Sequence, residues 1–390
     1  MRPSGAGWAL VCAALVTLSC GGGLERGRLL LRAGDYRRAA AVLDAAVARR
    51  PADPAPRRLL LEALCGCDSG AAALAEFGVL ARLSPQDCAD PWLRAKVAGY
   101  AGLEPYRVVR LTPGGGKDAL PCFSRDGSRI AFSSKRDGNP ELYVMAADGS
   151  GQRRVTHDPA VDYNPAFSPD GRTLAYVSDR VGRNQIYLCD LESGRERRLT
   201  YSAADDQQPK FSPDGQELYF LSDRSGRYTI WRMGIAAAGS GREGPAAPAF
   251  PDSTAKLYFD TQGGRVLLQE QTADEVRLLL GSLETLETRP IAFPAFRAAL
   301  PTILSPDGRR ILFVSDRDGN DEIYLYEIDS GRTTRLTVNP GQDFCCGFSP
   351  DGRRVLFDSV RDGARDVYLM DLDQPLPLDR LARAVRRTQS

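Results

Sequence analysis

Short apolar runs recur along the carboxy-terminal two-thirds of the chain at a spacing that an array of like units would keep. Residues 130–132, 174–177, 218–221, 311–314 and 355–357 are rich in β-branched and aromatic side chains and read as strands buried on both faces. Each run follows a turn of the form Phe/Leu-Ser-x-Asp-Gly, with its Asp at 126, 170, 214, 307 and 351, and three of the four intervals are 44 residues. In four copies the turn is Ser-Pro-Asp-Gly, where Pro presets the second turn position, Asp accepts backbone bonds and Gly takes the site with positive φ; the copy at 124–127 has Arg125 for Pro. Sixteen residues after each turn Asp a second apolar pair begins, Leu142-Tyr143, Ile186-Tyr187, Ile230-Trp231, Ile323-Tyr324 and Val367-Tyr368. A short piece, as in Arg197-Arg198-Leu199-Thr200, ends the unit.

Such a unit has four strands. One interval of 93 residues leaves room for a worn copy near 251–291 with Gly263-Gly264 at its turn, which makes six units. A lone four-stranded sheet of this size cannot bury its faces, so six must stack radially as a β-propeller. The repeats begin on the fourth-strand piece Arg110-Leu111-Thr112 and end on a third strand near 366–372. Residues 106–112 are therefore expected to complete the last sheet and close the ring.

The pattern Asp-x-x-Pro-x-Phe-Ser-Pro-Asp-Gly, then Ser-Asp-Arg-x-Gly and Ile-Tyr, as over residues 162–187, resembles the propeller repeats of the TolB family of the Tol–Pal envelope system. The resemblance covers residues 106–372. It implies a role in holding envelope proteins together, with a Pal-like lipoprotein or another outer-membrane component as partner. TolB proteins carry a different α/β domain before the propeller, and here something else precedes it.

Residues 8–18 form an apolar run of eleven, too short to span a bilayer, placed after Arg2 and before Ser19-Cys20-Gly21. The stretch Thr17-Leu18-Ser19-Cys20 resembles a lipoprotein box, which marks residues 1–19 as a signal and Cys20 as the lipidated residue. Residues 20–27 read as a linker. Residues 28–103 are rich in Ala, Leu and Arg at helical spacing, and Gly34-Asp35-Tyr36 with Ala39, Ala46 and Pro51 resembles the second half of a tetratricopeptide repeat; Pro85 follows Pro51 by the 34 residues of that family. Leu30, Leu43, Leu60 and Leu64 supply the apolar stripe. The alternative is a plain helical spacer. The fold class is thus multidomain α + β: short helical repeats, a six-bladed propeller over 104–374, and a basic tail over 375–390 that could be a helix on the propeller, a helix on an anionic membrane, or a frayed end.

Composition narrows the function. The 51 basic and 50 acidic residues of the 390 nearly cancel and offer no general attraction to nucleic acid. Nine cysteines include Cys12 and Cys20 at the signal, leaving an odd seven, and Cys65-Gly66-Cys67 lacks the spacer of a zinc or redox pair. Free, buried thiols are expected, with a Cys65–Cys88 bridge disfavoured and a Cys122–Cys346 bridge a lesser option. A single histidine, His157, excludes three-histidine zinc sites, and no Gly-x-Ser-x-Gly elbow is present. Gly114-Gly115-Gly116-Lys117 is followed by Asp118 where a phosphate loop needs Ser or Thr, and reads as a loop. No cofactor or metal is called for.

Eight residues before the turn Asp, four copies place another carboxylate, Asp118, Asp162, Asp206 and Asp343. A ring would gather them at one mouth of its channel, as a candidate site for a cation or a basic peptide; the plainer alternative is that each fixes its own loop. Arg136, Arg180, Arg224, Arg317 and Arg361 recur ten residues after the turn Asp, and each is expected to pair with a nearby carboxylate. Tyr163 and Phe344, beside Asp162 and Asp343, are the aromatic residues that break the repeat. Together these features predict a monomeric, non-enzymatic envelope lipoprotein on the periplasmic side of a membrane, the outer one by preference, that binds protein partners. The rival reading is a propeller that binds or processes a glycan or small molecule at its channel.

Overall fold

A computed structural model of the protein describes residues 23–236, 244–250, 255–271, 276–293 and 301–388. The signal run and Cys20 lie outside the described residues, as do the side chains of Cys345 and Cys346. The chain forms two compact units. One comprises residues up to Pro105 together with those from Leu376 onward, and the other runs from Tyr106 to Pro375.

The first unit is helical: α1 (Gly23–Arg32), α2 (Tyr36–Arg49), α3 (Pro54–Gly66), α4 (Gly70–Leu83), a 3-10 turn (Pro85–Cys88), α5 (Pro91–Tyr100) and, from the far end of the chain, α6 (Leu378–Thr388). Polar caps start three of them. Asp35 accepts from the Arg38 amide at 3.3 Å, Asp53 from Ala55 at 3.0 Å and Asp90 from Leu93 at 3.0 Å, with Pro in the first turn of α3 and α5. Small residues let the helices approach closely. A Cβ on Gly27 would stand 2.4 Å from Leu43, and one on Gly66 would stand 2.2 Å from the Tyr36 ring.

The tail is α6, and it belongs to this unit. Leu381 and Val385 are fully buried in one core with Leu61, Phe77, Trp92 and Leu93. The strands of the propeller are thus inserted between α5 and α6, and the two crossing points are tied together by the Leu376 amide donating to the Pro105 carbonyl at 2.8 Å.

The second unit is a propeller of six four-stranded sheets. The inner strands are Asp118–Phe123, Asp162–Phe167, Asp206–Phe211, Ala255–Gln262, Thr302–Leu304 and Asp343–Phe348 in blades 1 to 6. Blade 4 is the worn copy, turning at Gly263-Gly264 with φ of 56° and 81°, where only glycine is unstrained twice in succession. Tyr106–Arg110 is the outer strand of blade 6, with Val108 opposite Met370 and Arg110 opposite Tyr368, so the ring closes as its repeat phase requires.

Two polar devices recur. At the tight turns the Ser hydroxyl donates to the Asp carboxylate, as in Ser168 to Asp170 at 2.6 Å, and hydroxyl and amide bonds hold these carboxylates below the usual range, Asp126 at about 2. At the outer edge, the Thr of the repeated Arg-Leu/Val-Thr piece accepts from the third strand's backbone. Thr112, Thr156, Thr200 and Thr337 take the amides of Val367, Leu142, Ile186 and Ile323 at 2.8, 2.9, 2.9 and 2.8 Å. That is why the Arg-Leu/Val-Thr piece is repeated.

Cys65, Cys67, Cys88, Cys122 and Cys189 are free. Burial pushes the thiols of Cys65 up to about 12 and of Cys88, Cys122 and Cys189 up to about 11, so they stay protonated and serve as small apolar or weakly polar groups.

Candidate functional site

Each of the four repeated carboxylates opens an inner strand and stands in register with a serine that ends the second strand: Asp118 with Ser134, Asp162 with Ser178, Asp206 with Ser222 and Asp343 with Ser359. Two residues beyond each serine comes the repeated arginine. Its Nε donates to that serine, at 2.8 Å for Arg136 and 2.9 Å for Arg180 and Arg224, and at 3.0 Å for Arg361. Its Nη2 reaches the blade's own aspartate, at 2.9 Å for Arg136–Asp118, 3.0 Å for Arg180–Asp162 and Arg224–Asp206, and 3.1 Å for Arg361–Asp343. The guanidinium lies over two rings, one from each central strand; Arg180 is 5.8 Å from the Tyr176 centroid and 4.3 Å from that of Tyr187.

The expected arginine–carboxylate pairing therefore holds in blades 1, 2, 3 and 6. The four aspartates do gather at one end of the inner strands, but Asp118 is 1 % exposed and the other three are fully buried. At Asp162 burial lifts the carboxyl to about 6 although Ser178 and Arg180 oppose it. An aspartate so placed fastens its hairpin and does not face a ligand, so the carboxylate ring expected from the sequence is not open. In blade 5 Arg317 keeps its serine, at 3.1 Å from Ser315, and its rings, Phe313 and Tyr324, while the position eight residues before the turn Asp is occupied by Ala299, outside the described residues.

With the repeated residues fastened, what remains open is what varies from blade to blade. The central channel holds a cavity of about 600 Å³. Lys210 from blade 3 donates to Asp260 of blade 4 at 3.0 Å across it. Burial alone would depress the Lys210 ammonium, but the Asp260 charge and hydrogen bond outweigh it and hold the group above its ordinary range. Asp260 also accepts from the Leu304 amide of blade 5 at 3.1 Å, so one carboxylate links three blades. Asn164 and Gln208 line the same cavity from left-handed backbone positions, φ 56° and 52°, at the bulges where inner-strand register jumps, and Gln208 Oε1 is buried with no partner among the described residues.

A model of the TolB beta propeller domain matches residues 164–289 and 259–380, more than half of the chain. The chain belongs to the TolB β-propeller family. A stretch of 40 residues is 55% identical to the Tol-Pal system protein TolB of Anaeromyxobacter dehalogenans, which is 10% of this chain and 9% of that protein, so the chain matches less than a tenth of the curated TolB relative. Among solved structures, an oligogalacturonate lyase in complex with manganese superposes at a TM-score of 0.51 with 17% identity over 68% of this chain and 93% of its own. The oligogalacturonate lyase of Vibrio parahaemolyticus gives 0.50 with 14% identity over the same shares. At these identities the likeness is one of fold. In this TolB-family propeller the residues that sequence reasoning missed are Lys210, Asp260 and the pair Asp358 and Arg365, each of which departs from its repeat position; aligning the copies and marking departures would have found them. Asp358 stands where Ser133, Val177, Leu221 and Val314 stand in other blades, and burial raises its carboxyl to about 7 despite Arg365.

Proposed function

We propose that the chain is a non-enzymatic scaffold of the bacterial cell envelope, exported, lipid-anchored through Cys20 on the periplasmic side of a membrane, the outer one by preference, and monomeric. It binds protein partners, a Pal-like lipoprotein or another outer-membrane component, through the propeller face that bears the Asp118, Asp162, Asp206 and Asp343 hairpins, and through the helical unit read as tetratricopeptide-like repeats. The observation that carries this reading is membership of the TolB propeller family, joined to the fact that the repeated polar residues are spent on internal pairs. A rigid, repeat-fastened face suits docking of a pre-formed surface. Val181 supports it from the same loop as Arg180: it is 44 % exposed, a large apolar side chain on the contact face.

The test is crosslinking in intact cells followed by mass spectrometry, comparing the native chain with Val181→Glu. A defined envelope protein captured by the native chain and depleted by at least about threefold with the variant is the expected result. Absence of any protein partner would overturn the scaffold reading. A second reading, a glycan or small molecule held in the central channel, is favoured by one observation: Asn164, Gln208, Lys210 and Asp260 line the cavity and each departs from the repeat.

A further inference from the structure

Beside the channel, on the end of the propeller where the inner strands begin, blades 6, 1 and 2 enclose a second cavity of about 600 Å³. Its walls are apolar, with Val161, Val360 and Leu120 among them, and no acidic residue lines it. Three cations do: Arg365, Lys117 and Lys135. Both lysines are exposed and have no carboxylate partner among the described residues. Lys117 ends the Gly114-Gly115-Gly116 loop at φ 51°, a left-handed conformation that lysine adopts only against strain.

Arg365 is the organised member. Its Nε donates to the buried carboxylate of Asp358, and its Cζ lies 4.7 Å from the centroid of the Phe344 ring. Anchored on one edge and one face, the guanidinium keeps Nη1 and Nη2 without a protein acceptor among the described residues, while 35% of the side chain remains accessible. A guanidinium fixed in this way presents a planar fork of donors that matches the two oxygens of a carboxylate. Tyr163 lines the same cavity with a hydroxyl that has no partner among the described residues, and burial pushes its ionisation up to about 12, so it remains a donor. Tyr163 and Phe344 are the two aromatic residues that break the repeat beside the fastened aspartates. Both belong to this pocket, one on its wall and one beneath its arginine.

We propose that this pocket binds an organic carboxylate carrying a small apolar body, with Arg365 gripping the acid group, Tyr163 donating a third hydrogen bond, and Lys117 and Lys135 drawing the anion to the rim. The inference goes beyond the scaffold reading and does not depend on it. The same chemistry could come from a free acid or from the carboxyl end of a peptide chain, and the probes separate the two.

The experiment is isothermal titration calorimetry of the full mature chain with 4-methylpentanoate and with N-acetyl-leucine, each against its neutral amide. Binding of either acid, with the matching amide weaker by about tenfold or more, is expected, because the amide cannot engage the fork as an anion. A stronger response to N-acetyl-leucine identifies a chain terminus as the source, and equal or stronger binding of 4-methylpentanoate identifies a free acid; either supports the site. Arg365→Gln should cost about tenfold or more in affinity. Because that change strips Asp358 of its partner, Lys135→Ala, at an exposed position with no partner to lose, provides the second variant and should weaken binding by about threefold with a smaller dependence on salt. Equal binding of acid and amide, no binding of either acid, or unchanged affinity in both variants would overturn the proposal.

Discussion

Asp162 and Arg180 show how this propeller uses charge. Taking a carboxylate out of water costs several kcal/mol, and the pair repays that only through good geometry and further bonds; here Ser178, a second ion pair from Arg180 to Glu196 at 2.7 Å and two tyrosine rings complete the arrangement. The Asp162 pKa of about 6 lies above its ordinary value of 3.8, so the folded state holds this proton more tightly than the unfolded chain does. The group's contribution to stability is therefore greatest below about pH 4 and declines as pH rises from 4 to 6. Arg180→Ala, which leaves the carboxylate buried without its guanidinium, is expected to cost about 3 kcal/mol at pH 7.5 and clearly less at pH 4.5, where a proton takes the place of the arginine charge. Denaturant melts of the two proteins at both pH values measure the difference; an equal loss at the two would mean that the ring contacts and the Glu196 bridge, not the Asp162 pair, carry the effect. The need for an arginine near each aspartate was legible from the ten-residue and eight-residue offsets, because both positions repeat with the turn. That the pairing would leave none of these four carboxylates facing the channel was not legible, since burial depends on how tightly neighbouring blades close over the hairpin.

At the scale of the element, the outer strand of blade 6 is the clearest case of a structure the repeat phase demands. Tyr106–Arg110 comes from one end of the propeller segment and Asp366–Pro375 from the other, and their pairing is reinforced by Arg110 bonded to Asp366 and by Thr112 receiving the Val367 amide. Replacing residues 106–112 by a Gly-Ser stretch of equal length would keep the connection but delete the strand's ladder and both side-chain bonds. The propeller's melting temperature should fall by roughly 10 °C, several kcal/mol spread over a domain of this size. An unchanged transition in calorimetry would show that the ring does not need its closing strand. Blade 4 was legible only in outline, because its hairpin keeps a glycine pair and no Ser-x-Asp-Gly. Its partners, Lys210 of blade 3 reaching Asp260 and Asp260 reaching the Leu304 amide of blade 5, lie 50 and 44 residues away in the chain and leave no local pattern.

At the scale of the whole molecule, each unit is built from its own core, and the helical one draws on both ends of the chain. Helix α6 places Leu381 and Val385, both fully buried, against α3, α4 and α5 residues. Their burial is worth about 1.5–3 kcal/mol each. Truncation after Pro375 should lower the unfolding midpoint of the helical unit by several degrees while leaving the propeller's own transition in place, since α6 contributes its buried side chains to the helical core. Calorimetry that resolves the two transitions checks it; a shift in the propeller transition of equal size would contradict the division. The amphipathic pattern of residues 378–387 marked a helix with one apolar face, but an apolar face does not name its partner. The helical core that receives it lies some 280 residues upstream, as in the Arg94 bond to the Leu376 carbonyl.

By itself the sequence determined the count of six blades, their four-stranded make-up, the worn fourth copy and the strand that closes the ring, because a repeat writes the same local instructions each time and its phase shows what is missing. Only the tertiary structure decided what the polar residues do. Ring closure and inter-blade packing buried Asp118, Asp162, Asp206 and Asp343 behind their own arginines and opened the channel on Lys210 and Asp260. The same packing set Tyr163 and Arg365 on the wall of one pocket, with Phe344 and Asp358 holding that arginine, since whether a side chain meets water, a charge or another blade is fixed by surfaces that meet across hundreds of residues of chain.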